Sequence, residues 1–363
     1  MRSSVAGSIL LVVFVYGGSA WAAPRAWELV WRSETATERS SVAGKARTML
    51  AGDGAELSAT ATASAAQGKT RFDYQTRRRQ WSLIDDGRAL IELDPRRKRA
   101  QMHERPRLVV DRALAERNYV ASQTGKAVIA GRPATAIAIT PRGGGPAVLK
   151  LWLDQESGFA LKRERYNVEG KLVSATEYVE VVFGAPVSSD LFTVPPTYVI
   201  AHRAPPKDQL TLEQLGLRVG FHVGPPSHLP AGYVLVGGYE AEWGRWELQT
   251  AELRYTDGIR MLSVYERERG QEERGRQGAR GRSGRGHDEG GRRHRGGRRG
   301  DGGGGRGRGG GGHGFGPPGE ETSFVDRGYE KALRYFGPTV VVIVVGDLTQ
   351  DELLRVARSV PQQ

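Results

Sequence analysis

The stretch Gly68–Ala100, GKTRFDYQTRRRQWSLIDDGRALIELDPRRKRA, decides the fold class. Four short strand-like runs, Lys69–Tyr74, Trp81–Asp85, Ala89–Leu93 and Arg99–His103, are parted by Asp85-Asp86-Gly87 and Asp94-Pro95. Asp followed by Gly or Pro marks a tight turn, because the Asp side chain caps its own turn and Gly supplies positive φ. The runs therefore read as successive antiparallel strands. Asp85 and Asp86 are adjacent carboxylates, but followed by Gly87 between two strands they read as a hairpin turn rather than an acid/base pair.

The same texture extends in both directions. Upstream, Trp27–Ser33 and Glu56–Ala61 are expected strands, with Ala51-Gly52-Asp53-Gly54 as a turn. Downstream, a helix is expected over Val109–Asn118, with Val110, Ala113 and Leu114 on one face. Strands resume at Ala127–Ile129, Ala134–Thr140, Val148–Asp154, Ala160–Tyr166 and Leu172–Val182. Many strands and few helices predict a mainly β domain over residues 25–200, one large curved antiparallel sheet or open barrel with an apolar concave face. Trp81, Leu83, Leu90, Ile91, Leu151 and Trp152 are candidates to line that face. Because strand side chains alternate, about half of such a set points inward.

The Pro-rich run Pro195–Asp208 reads as a linker, and the domain boundary is set at 201–212. Residues 213–363 form a smaller α+β domain. It is expected to hold a short helix near Leu210–Leu215 and strands near Tyr233–Tyr239, Glu247–Tyr255, Ile259–Tyr265 and Thr339–Val345. In its closing helix Thr349 and Glu352 form a capping box, and Leu353, Leu354, Ala357 and Val360 form the apolar face. An Arg/Gly-rich insertion, Arg267–Gly319, interrupts this domain. It holds 14 arginines against 6 acids, so it carries +8 of the chain's net +12. Such a composition buries too little apolar surface to offset its ordering entropy and is expected to be disordered. Arg/Gly tracts bind nucleic-acid phosphates. Here only Phe315 interleaves the arginines, and the start of the chain argues for export, so an extracytoplasmic surface loop is the reading taken. Contact with anionic lipid headgroups is its alternative use.

That start reads as a signal peptide over residues 1–22: Arg2, the apolar run Val5–Tyr16, then Ala20-Trp21-Ala22, with cleavage after Ala22. The apolar run is well short of the ~20 residues needed to span a bilayer. The mature chain is thus expected to be periplasmic with no membrane span. Cysteine is absent, which excludes disulfides, thiol catalysis, thiolate metal sites and a lipidated cysteine. His103, His202, His222 and His228 show no H-E-x-x-H spacing, and no nucleophile elbow or phosphate-binding Gly loop occurs. His287, His294 and His313 are too irregularly spaced for a metal site. The reading is a binding protein with no catalytic site, rather than an enzyme.

Gly68–Ala100 resembles the sheet of lipoprotein carriers of the LolA type, where a strand with Arg and aromatic residues precedes a DG hairpin and a DP turn. Asn118–Pro195 resembles the same superfamily and especially its MucB/RseB branch, through NYVASQTGKAVIAGRPATAIAIT, LKLWLDQESGFALKRERYNVEGKLVSATEYVEVVFG and SSDLFTVP. LPAGY at Leu229–Tyr233 and the closing GDLTQDELLRVARSV resemble that branch's C-terminal domain. The resemblance implies a LolA-like half-open antiparallel β-barrel with plugging helices and a cavity for acyl chains or acylated lipoproteins, and no cofactor. It further implies a periplasmic regulator that binds the periplasmic part of a membrane-anchored anti-sigma factor, shields it from proteolysis and releases it on lipid or lipoprotein signals. Arg71 stands where the carriers have an arginine that hydrogen-bonds the lid; a solvent-facing strand arginine is the alternative. With Trp81, Leu83 and Leu151 it makes up the expected ligand-binding set. The strands before Gly68 match the family poorly, and the Arg/Gly insertion belongs to neither group. A lipid or lipoprotein carrier is the competing function; the second domain, which simple carriers lack, favours the regulator.

Overall fold

The computed structural model describes residues 25–52, 55–105, 109–202, 208–243, 248–270, 322–328 and 330–362. The expected signal peptide, the Asp53-Gly54 turn and the Arg/Gly insertion from 271 onward lie outside the described residues.

Two sheets make up the molecule. The first consists of β1 (Val42–Gly52), β2 (Ala55–Ala66), β3 (Lys69–Gln75), β4 (Gln80–Asp85), β5 (Ala89–Asp94), β6 (Arg99–Glu104), β7 (Tyr119–Ile129), β8 (Arg132–Pro141), β9 (Leu149–Asp154), β10 (Ala160–Tyr166), β11 (Leu172–Phe183) and β12 (Val199–His202). Its order is β12-β6-β5-β4-β3-β2-β1-β11-β10-β9-β8-β7, unclosed, as a half-open barrel requires. The meander from Gly68 to Ala100 folds as read. At its DG hairpin the Asp85 carboxylate accepts from Gly87 N, and Asp86 accepts from Arg88 N and Ala89 N.

Three expectations fail in this sheet. Trp27–Ser33 is not a strand but part of helix α1 (Ala26–Glu34). Trp27, Leu29 and Trp31 alternate, which mimics a strand; the decisive spacing is Trp27, Val30 and Trp31, which share a helical face. Val30 is fully buried against Ile137, Leu149 and Leu151, and the Trp27 and Trp31 rings stack at 4.8 Å. A short helix α2 (Ala36–Arg39) follows and packs Ala36 against Val42, Ala46, Ala63 and Ala65.

The second failure is β1 itself, which the sequence reading passed over. Its inner positions, Val42, Gly44, Ala46 and Thr48, are mostly small, so it lacks a strong strand signature. It is nevertheless the strand that joins the two meanders, pairing with β2 on one side and β11 on the other. At its bulge a Cβ on Gly44 would stand 2.1 Å from the Glu180 carbonyl oxygen, so only glycine fits. Third, the linker reading of Pro195–Asp208 is wrong at Val199–His202, which form β12, parallel to Arg99–Met102. Pro-flanked strands survive at a sheet edge because no second neighbour needs their N–H groups.

The second sheet has the order β13-β14-β15-β18-β17-β16: β13 (Val234–Trp243), β14 (Leu248–Thr256), β15 (Met261–Glu268), β16 (Thr322–Asp326), β17 (Lys331–Phe336) and β18 (Val340–Gly346). Helices α4 (Leu212–Val219) and α5 (Gln350–Arg358) cover one face, burying Leu215, Val219, Leu353 and Val356 against Leu253, Val264, Val342 and Val344. Residues 267–268 belong to this sheet, with Arg267 opposite Val341 and Glu268 opposite Val340, so the interruption begins later than Arg267. At α5 the Thr349 hydroxyl accepts from Glu352 N as expected. The return half of the capping box is missing, because the Glu352 carboxylate instead meets His228 Nε2 at 3.1 Å and Arg355 at 2.8 Å.

The two domains interlock. Helix α3 (Arg112–Asn118) receives the β14–β15 turn: Val110 N and Asp111 N donate to the Gly258 carbonyl at 2.8 and 3.2 Å. Asn118 Nδ2 donates to the Asp257 and Gly232 carbonyls, and Tyr119 donates to the Asp257 carboxylate. Ile259, from the second domain, is buried in the first domain's core beside Tyr119 and Ile139. Arg254 pairs with Glu104 at 2.7 Å, Lys331 pairs with Glu169, and Asp347 both pairs with Arg260 at 3.1 Å and accepts from Val168 N.

Candidate functional site

The two faces of the first sheet can be assigned from strand register, since directly opposed residues share a face. The inner face is the one that carries α1 and α2. Across it runs a row Trp81–Tyr74–Ala61–Ala46–Tyr178, and beside that a row Leu83–Phe72–Ala63–Gly44–Val181. A third row, toward the second domain, reads Ala59–Thr48–Thr176–Arg163–Leu151–Ile137. A fourth reads Leu57–Leu50–Ser174–Arg165–Leu149–Ile139.

Trp81, Leu83, Leu90 and Leu151 therefore lie on the inner face. Ile91 and Trp152 are set to the outer one, opposite Ile84 and Lys162. The inward set splits by burial. Leu151 is fully buried beneath α1, so it is core; Trp81 and Leu83 stay half-buried. Trp81 stacks on Tyr74 at 4.9 Å, with the Arg79 guanidinium 5.3 Å from its ring centroid.

Arg71 is not brought together with these three. It lies opposite Ile84 on the outer face, where it forms a fork with the Asp73 carboxylate at 2.7–2.9 Å. Its Nη1 donates to the Leu191 carbonyl at 3.0 Å. That carbonyl belongs to a 3-10 turn, Ser189–Phe192, which buries Phe192 against Ile84, Ile91, Leu93 and Ala100. Arg71 thus fastens a covering segment, but over the face away from α1 and α2.

The helices cover only part of the inner face. Leu50 and Leu57, opposite one another, remain 40% and 47% exposed, which is uncommon for leucines on a sheet's inward side. Between them and the buried leucines stand Arg163 and Arg165, whose role the sequence reading did not single out. Both are ringed by protein, and burial pushes both guanidinium pKa values down, each with a second arginine adding to the effect. Arg163 still keeps an exposed surface and Arg165 a partial one, so both remain within reach of a ligand. Among the described residues no carboxylate lies within ion-pair distance of either. The nearest acids are engaged elsewhere: Glu34 with Arg112, and Asp347 with Arg260. Burial likewise pushes the Tyr178 and Tyr74 hydroxyls up, so both remain neutral. The site offers an apolar floor, hydroxyls and two fixed positive charges. That is equipment for binding, and no nucleophile–base pair accompanies it.

Residues 68–196 match the family model described as the MucB/RseB N-terminal domain. The match begins at the meander that opened the sequence and ends just past the 3-10 turn, so β1, β2 and the two N-terminal helices lie outside it. The full two-domain fold is shared more widely. A solved structure of MucB in complex with MucA(peri) superposes with a TM-score of 0.56 at 16% identity, over 93% of this chain and 99% of that one. The MucA/MucB complex from Pseudomonas aeruginosa gives 0.58 at 17% identity, again over 93% and 99%. No curated protein matches the sequence. The segment that matches the MucB/RseB model therefore lies in a chain whose fold is similar to that of MucB over both domains. Among the described residues no helix is long and apolar enough to cross a membrane.

Proposed function

We propose that this protein is a periplasmic regulator that holds the periplasmic part of a membrane-anchored anti-sigma factor and responds to lipid or lipoprotein signals from the envelope. The observation that carries the reading is the MucB/RseB N-terminal domain within a fold that follows MucB, solved with MucA(peri), through both domains. The signal-peptide pattern of residues 1–22 supports export. A lipid carrier of the LolA type needs only the first domain. The interlocked second domain, with Ile259 seated in the first domain's core, favours the regulator.

The test is a binding measurement between the mature chain and the periplasmic part of a single-span anti-sigma factor encoded beside a sigma factor in the same genome. Saturable binding, with protection of that segment from proteolysis, is expected. Capture of acylated lipoproteins alone, with no binding to the anti-sigma segment, would sink the regulator in favour of the carrier.

A further inference from the structure

We propose that Arg163 and Arg165 form an anion-binding site on the inner face of the first sheet, which takes the acidic headgroup of a single-chain amphiphile. Two guanidinium groups stand two residues apart on β10 and point to the same side. Arginine keeps its proton at any physiological pH, so the pair presents two positive charges. Burial makes those charges costly in the free protein, the Arg165 charge adds to the cost at Arg163, and the carboxylates that act on them, Glu34 and Asp347, do so from beyond ion-pair distance while paired with Arg112 and Arg260. An anion bridging the two would relieve both costs at once, through the forked hydrogen bonds that guanidinium makes to carboxylate or phosphate.

The neighbours fit a headgroup with a chain attached. Thr176 and Ser174 flank the arginines on β11 and supply hydroxyls. Beyond them the face turns apolar, with Leu50 and Leu57 two and three strands from Arg165, so Leu50 begins about 10 Å away. The strip continues through Ala59 to Tyr74 and Trp81. A charged end at the arginines and a chain along this strip cover exposed leucines that would otherwise face water. An acidic peptide would satisfy the arginines, but the exposed and apposed Leu50 and Leu57 call for a continuous apolar chain, so the amphiphile is favoured. The site lies against the domain junction, since Arg165 also feels the charges of Asp347 and Arg260.

This inference rests on the inner face being the signal-binding surface of the proposed regulator, and its test is separable from that reading. Full-length mature protein is titrated by calorimetry with laurate, dodecyl phosphate, the uncharged monolaurin and inorganic phosphate. Laurate and dodecyl phosphate are expected to bind, Arg163→Gln/Arg165→Gln to weaken both at least tenfold, and Arg163→Lys/Arg165→Lys to retain most of the affinity. Equal binding of monolaurin, unchanged binding by the Gln pair, or inorganic phosphate binding as tightly as dodecyl phosphate would each overturn the proposal. The ligand-free Gln pair should melt at the wild-type temperature or above it, because two repelling charges are removed. A lower melting temperature would show the arginines to be structural and overturn the site. Loss of amphiphile binding with anti-sigma binding intact refutes this inference alone; the converse refutes only the regulator.

Discussion

Glu266 is the residue where protonation and folding are most directly linked. It sits on β15 facing the second core, 1% exposed, with Oε2 accepting only a 3.4 Å bond from Gly224 N and Oε1 without a partner. Burial pushes its carboxyl up to about 8. In the folded protein it therefore keeps its proton between its ordinary unfolded value and about 8, while the unfolded chain releases it. The folded state binds more protons over that window, so stability is greatest below the unfolded pKa and falls as pH rises. The slope expected from this one group is about 1.4 kcal/mol per pH unit. Thermal unfolding followed from pH 5 to pH 8 should show a decline that Glu266→Gln removes; a parallel decline in the variant would refute the assignment.

Gly258 is a second single-residue determinant. Its φ is +104°, and a Cβ there would lie 2.4 Å from Ala115 N. Gly258→Ala combines backbone strain with overpacking at the interlock and should cost about 3 kcal/mol in chemical denaturation. A loss under ~0.5 kcal/mol would mean that the α3 contact yields freely.

Among the elements, the 3-10 turn Ser189–Phe192 is held to the outer face by one apolar anchor and one arginine. Phe192→Ala removes the anchor and should destabilise by ~3–5 kcal/mol. Arg71→Lys keeps the charge but loses the fork to Asp73, and only one donor site can serve Leu191. Hydrogen exchange should then accelerate in residues 187–198 while α1 and the inner-face strands keep their protection. Faster exchange in α1 as well would mean that the two faces are coupled through the sheet. Helix α1 shows how an element escapes a strand reading: the same aromatic residues satisfy both periodicities, and the partner surface chooses. The apolar inner face at Ile137, Leu149 and Leu151 needs a cover, and a helix supplies it through Val30.

At the scale of the whole molecule, the β14–β15 turn makes one cooperative unit of two sheets. Asp257 receives Asn118 and Tyr119, and Ile259 shares the first core. The wild type is expected to unfold in a single calorimetric transition, and Ile259→Asp to split it into two. A single transition in the variant would show that the remaining ion pairs, Arg254–Glu104 and Lys331–Glu169, suffice to hold the domains. The Arg/Gly tract calls for a more careful cut than its composition alone suggests. Deleting 272–319 should leave thermal unfolding nearly unchanged, whereas a deletion starting at Arg267 removes two paired residues of β15 and should lower the melting temperature.

The sequence by itself determined the meander from Gly68 to Ala100, the second half of the sheet and the apolar face of α5. Each of these is written locally, in alternation, turn chemistry and capping, where one residue's neighbours along the chain decide its conformation. Only the tertiary structure decided that Val42–Gly52 is the central joining strand, that Trp27–Ser33 is helical, and that Arg71 faces away from Trp81, Leu83 and Leu151. These depend on what packs across the sheet, and a face assignment turns on register, which a single-residue slip inverts. The arginine pair was invisible for the same reason. In sequence LKRERYNVEG reads as an ordinary charged strand of mixed sign, in which nothing sets Arg163 and Arg165 apart from Lys162. In the fold Lys162 meets Glu164 and Glu177 on the outer face, whereas Arg163 and Arg165 are turned inward, where Glu34 and Asp347 are already paired with Arg112 and Arg260.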